Sequence, residues 1–94
     1  MNWLMRRMIA TAIENDLMSH FPGPKIRFVI NPDGTWNQEV VSGHQDFYHK
    51  YPGMSREQAD QQILDDIMRI IKSHYPQADL VGYEQHGKYH RIGG

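Results

Sequence analysis

Apolar side chains recur at spacings of three and four from Met5 through Met8, Ile9, Ala12 and Ile13 to Leu17. That period predicts a helix within residues 1–21, with Glu14, Asn15 and Asp16 falling largely on its other face. Pro22-Gly23-Pro24 follows and stops the helix, because neither proline can continue it. The period then changes to two. Ile26, Phe28 and Ile30 alternate with Arg27 and Val29, and after Asn31-Pro32-Asp33-Gly34 the alternation resumes with Trp36, Gln38 and Val40. Asn-Pro-Asp-Gly suits a type I turn with a glycine bulge: proline presets φ, Asn and Asp bond back to the backbone, and Gly accepts a positive φ. This predicts a β-hairpin over residues 25–41. Its register puts Ile30 opposite Trp36, Phe28 opposite Gln38 and Ile26 opposite Val40 on the core face, with Arg27 opposite Glu39 on the other face.

Residues 42–53 have no clear period, so they fit either a third strand or an ordered loop closed by Pro52-Gly53. The helical period returns at Ala59 and continues through Ile63, Leu64, Ile67, Met68, Ile70 and Ile71. Ser55 and Gln58 form a capping box at its start. Glu57, Asp60, Asp65 and Asp66 lie toward the N-terminal end, and Arg69 and Lys72 toward the C-terminal end, which suits the helix dipole. Asp65 and Arg69 are spaced for an i,i+4 ion pair. The predicted helix covers residues 55–75 and ends at Pro76. Residues 79–92 read as one strand, with a second if the chain turns at His86-Gly87. The order α-β-β-(β)-α-β-(β) predicts an α+β fold. It would be a two-layer sandwich, with a small antiparallel sheet packed on one or two helices.

With 94 residues, the chain has room for a single domain spanning residues 1–94. An apolar fraction of 39% and a mean hydropathy of −0.67 allow one modest core and no large internal pocket. Ten basic against eleven acidic residues argue against a whole-surface grip on nucleic acid and against a polybasic membrane anchor. The absence of cysteine removes disulfides, thiolate zinc sites and thiol catalysis. No apolar run is long enough for a membrane span, and the N-terminal arginines follow rather than precede the apolar residues of a secretory signal. The expected location is therefore cytoplasmic, with no membrane partner.

The run Ile26-Arg27-Phe28-Val29-Ile30-Asn31-Pro32-Asp33-Gly34-Thr35, continued by Glu39-Val40 and Gly43, resembles an uncharacterised bacterial family of very short proteins. Members open with a strand, a Pro-Asp-Gly turn, a second strand and a helix. The likeness covers residues 24–43, and the cysteine that follows the hairpin in that family is missing here. It implies a small cytoplasmic domain and no particular activity. Gly53-Met54-Ser55, opening an Ala-containing helix, is similar to the start of the last helix in double-stranded-RNA-binding domains. Those domains place lysines there to meet phosphates, whereas this chain has Arg56-Glu57 and then Asp60.

Catalytic signatures are missing. None of the four serines lies in a Gly-x-Ser-x-Gly elbow, and the glycines build no phosphate loop. Asp65 and Asp66 diverge by about 100° on a helix, so they read as a solvated face rather than a shared-proton pair. No enzymatic activity and no cofactor are expected. Six histidines suggest sensitivity to pH between about 5 and 7. His44, His49, His86 and His90 are the candidate metal ligands, although 86 and 90 would lie about 13 Å apart along a strand.

Three surfaces are candidates for binding. Trp3, Met5 and Met8 give the first helix more apolar surface than one core-facing stripe needs, and methionine adapts to varied partners. Phe47, Tyr48, His49 and Tyr51 could form an aromatic protein-contact patch. With Lys50, and with Lys88, Tyr89 and Arg91 of the tail, the same region could instead hold nucleic acid by stacking and phosphate contact. The leading expectation is a small non-enzymatic protein-binding module, such as a subunit, adaptor or phage-type inhibitor, able to form a homodimer. Nucleic-acid binding is the alternative, and a histidine-based metal or pH response the third.

Overall fold

The computed structural model describes residues 1–80, 82–85 and 88–91, with side chains through Ala78. Two helices, α1 (Trp3–His20) and α2 (Arg56–His74), enclose the core with a hairpin of β1 (Lys25–Ile30) and β2 (Trp36–Ser42). This is the expected α+β arrangement. The tail contributes β3 (Gly82–Gln85) and β4 (Lys88–Arg91), which pair antiparallel as a second two-stranded ribbon. Among the described residues the strands pair as two two-stranded ribbons. Residues 76–80 form a 3₁₀ turn, so the tail strand begins at Gly82. The turn expected at His86-Gly87 lies outside the described residues, as do residues 92–94.

The hairpin has the register read from its turn. Ile30 faces Trp36, Phe28 faces Gln38, Arg27 faces Glu39 and Ile26 faces Val40. Gly34 N–H donates to Asn31 O at 2.9 Å, and Gly34 takes the positive φ of 89° that the bulge requires. The backbone and hydroxyl of Thr35 both donate to Asp33 Oδ1, and these bonds, the hydroxyl's first, hold the Asp33 carboxyl below the usual range. Phe28 and Trp36 stack diagonally across the strands at 5.2 Å. Tyr75 Oη donates to Gly34 O and Trp36 Nε1 donates to Ala78 O at 2.8 Å, fastening the hairpin to the end of α2.

α1 and α2 run antiparallel, joined by His20 to Asp66 and by Asp16 to His74. The capping box at Ser55 is formed in both directions. Ala59, Ile63, Ile67, Ile70 and Ile71 of α2 are buried as its period predicts. On α1 the inward stripe differs from expectation: Ala10, Ile13 and Leu17 are buried, while Met5 and Met8 face outward. α1 carries apolar residues in more directions than one contact can cover. The core takes the stripe containing Ala10, whose small side chain lets the helix approach. Glu14 Oε2 accepts from Phe28 N–H at 2.8 Å, which ties α1 to the outer edge of β1.

Residues 44–50 are neither strand nor open loop. His44–Lys50 winds as a 3₁₀ helix entered through Gly43 at φ 78°. Phe47 drops from it into the core, its ring 4.9 Å from that of Phe21.

Candidate functional site

The first two turns of α1 form the most unusual surface among the described residues. Asn2 starts the helix by accepting Met5 N–H at 2.8 Å, and Arg6 folds back to donate to Met1 O. At about 100° per residue, the stripe through Ala10, Ile13 and Leu17 is opposed by one through Leu4, Met8 and Ala12, flanked by Met5. The core covers only the first stripe. Trp3 is 66% exposed, Leu4 60%, Met5 51% and Met8 64%, while Met1, about half exposed, lies by Arg6 and the hairpin turn. Trp3 points to the side, over a cleft of about 210 Å³ between Arg6, Arg7 and Ala10 of α1 and residues 28–32 of the hairpin. Single exposed apolar residues are ordinary, but Leu4, Met5 and Met8 fall on the same side of one helix, an apolar face of the sort that other molecules cover.

A second cluster gathers polar groups where the end of α1, the 3₁₀ helix and α2 meet. Asp66 is nearly buried, its side chain 12% exposed. It accepts from His20 Nε2 at 3.1 Å, from Gln62 Nε2 at 3.1 Å and from Tyr51 Oη, and Arg69 lies 3.5 Å away. Lys50 Nζ donates to His20 O at 2.7 Å and faces His20 Nδ1 at 3.2 Å. An ammonium can only donate, so Nδ1 accepts and Nε2 carries the proton given to Asp66. Burial works to raise the Asp66 carboxyl, but the bonds from Tyr51, His20 and Gln62 outweigh it and hold the group below the ordinary carboxylate range. Burial, followed by the bond to Asp66, pushes the Tyr51 phenol well up. These bonds spend the polar atoms of Asp66, His20 and Tyr51 on one another, so the cluster reads as a structural clamp between three elements.

The expected aromatic patch at 47–51 therefore divides between core and clamp. Phe47 is core. Tyr48 is half-buried, donates to Asp60 and is covered by the Arg56 guanidinium at 3.8 Å. Burial, then the Asp60 bond, raises its phenol. Tyr51 is bound to Asp66, and Lys50 is bound to His20 and lies over the Phe21 ring. His49 is exposed, 3.7 Å from Asp46. Asp66 is not part of a solvated face, whereas Asp65 is exposed and takes Gln61. Arg69 accordingly pairs with Asp66 rather than Asp65. The signal for this was present in the sequence: Asp66 is three residues after Ile63 and four before Ile70, on the apolar stripe of α2.

Of the candidate metal ligands, His44 and His49 lie on the 3₁₀ helix, His86 lies outside the described residues, and His90 is described only as backbone in β4. Among the described residues no three His, Asp or Glu side chains converge to hold an ion. The side chains of Lys88, Tyr89 and Arg91 also lie outside the described part. Among the described residues, no helix is long and apolar enough to cross a membrane. The sequence candidates that share one exposed side of α1 are thus Met5 and Met8, joined by Leu4, while Trp3 stands on the flank over the hairpin. Comparison with family models, curated proteins and solved structures gave no match to this chain.

Proposed function

We propose that the protein is a small non-enzymatic binding module of the cytoplasm whose working surface is the outward face of α1. The observation that carries this reading is the exposure of Leu4, Met5 and Met8, each more than half open on a helix already anchored by its opposite face, with the exposed Trp3 on the flank above the hairpin. Methionine and tryptophan suit such a surface, since the first adapts its shape and the second supplies a large anchor with a polar edge. Burying this patch against another protein removes apolar area from water at about 25 cal/mol per Å². Binding of nucleic acid through 44–51 has less support, because Phe47 belongs to the core and Lys50, Tyr48 and Tyr51 already have partners inside the fold.

A photoreactive benzoylphenylalanine at position 8 tests the reading, with the same group at Gln61 on the exposed side of α2 as control. In extracts of the cells that make the protein, irradiation should give a discrete protein adduct from position 8 and none from position 61. Equal, diffuse labelling from both positions, or none from either, overturns the proposal.

A further inference from the structure

We infer that the molecule covering α1 is a second copy of this chain, packed antiparallel across a two-fold axis. This rests on the protein-binding reading of the same face. Arg7, Met8, Thr11, Ala12 and Asn15 line a shallow hollow on that face. Four of them, Met8, Thr11, Ala12 and Asn15, stand at i, i+3, i+4 and i+7, the spacing of a hole that receives one knob from a facing helix. The large side chains, Leu4, Met5 and Met8, occupy the N-terminal half of the face, and the small ones, Thr11, Ala12 and Asn15, the C-terminal half. A helix with this gradient complements itself when reversed. Met8 of each copy enters the other's hollow, and Leu4 of each lies near Asn15 of the other. A two-fold axis repeats every contact and leaves no open surface to propagate into fibres.

Charge selects the same direction. Arg7 and Glu14 lie on one flank of α1, along a groove that they share with Met18 and whose hairpin wall carries Lys25 and Arg27, the latter paired with Glu39. In an antiparallel pair this flank meets its own copy in reverse, so that Arg7 approaches Glu14 twice. Glu14 uses Oε2 for Phe28 N–H, and its second oxygen remains for that contact. A parallel pair would set large side chains against large and put the two Arg7–Glu14 flanks on opposite sides of the pair, where neither charge finds the other.

The whole chain should show about twice its 11.0 kDa mass by light scattering at tens of micromolar. Met8→Glu should weaken self-association by about 30-fold or more while leaving the circular dichroism spectrum and melting temperature of the single chain intact. The protein has no cysteine, so introduced thiols report geometry without background. Under mild oxidation Leu4→Cys mixed with Asn15→Cys should cross-link, and Leu4→Cys alone should not. A cross-link from Leu4→Cys alone would overturn the antiparallel arrangement. A single-chain mass up to several hundred micromolar would overturn the pairing itself. In that case, a position-8 photoadduct with a different protein leaves the binding-module reading standing. No adduct, or co-sedimentation with anionic lipid vesicles, removes both.

Discussion

Gln38 shows how a single residue can be correctly placed by pattern and still be out of keeping with its surroundings. Alternation along β2 turns it inward, and it is fully buried opposite Phe28. Among the described residues, neither its amide oxygen nor its nitrogen has a hydrogen-bond partner. An unmet buried amide costs about 1–3 kcal/mol. Gln38→Met keeps the volume and removes the polar atoms, so it should raise stability by about 1 kcal/mol or more, read as a higher urea midpoint with an unchanged slope. Asp66 is the opposite case, a buried charge fully supplied with donors. Its carboxyl is more acidic folded than unfolded, so folding favours the ionised form. That stabilisation is complete above about pH 4 and is lost as pH falls through the lowered native value. Asp66→Asn should cost about 1–3 kcal/mol at neutral pH and flatten this part of the acid limb in a urea titration followed from pH 7 to pH 2. The inward turn of Gln38 was read from period, whereas Asp66, read as part of a solvated face, turns inward because it stands on the stripe of Ile63 and Ile70. Period says nothing about which donors arrive from His20 and Tyr51, 46 and 15 residues away in sequence, or that none arrives at Gln38.

At the scale of elements, legibility follows how local the determinants are. The hairpin is written in one unbroken stretch, residues 25–41: the Asn-Pro-Asp-Gly turn fixes the register and the register fixes the faces. α2 likewise carries its own start signal in Ser55 and Gln58 and its own stop in Pro76. The 3₁₀ helix at 44–50 has no such internal code. It depends on Gly43, whose positive φ opens it and whose missing side chain lets Gly23 O and Pro24 Cα approach to 2.9 Å of where a Cβ would stand. Both partners are rigid backbone. Gly43→Ala should therefore exceed the roughly 1–2 kcal/mol of left-handed strain alone. Gly53→Ala, at φ 88° with open space around it, should cost only that strain. Comparing the two variants by urea denaturation separates steric contact from backbone conformation. Equal losses would show that the contact with residues 22–24 contributes nothing.

Across the whole molecule, the sequence showed that α1 is apolar but not which of its stripes would be used inside. Its periodic residues point in several directions, and the choice falls to the shape of the hairpin it meets, in particular to β1 and the Glu14 contact with Phe28. The residues left over, Trp3, Leu4, Met5 and Met8, then become an outer surface by exclusion. Their placement has a mechanical consequence. The core buries α1 from Ala10 onward, with Ile9 at its margin, so the two turns before it form a lightly held beam that meets the fold only along the side over the hairpin. Amide hydrogens in those turns should exchange with deuterium orders of magnitude faster than those after Ile13 when the protein is dilute. They should slow as concentration rises, if a neighbour props the free end. A profile in which residues 6–9 exchange as slowly as 13–17 at nanomolar protein would mean that the beam supports itself.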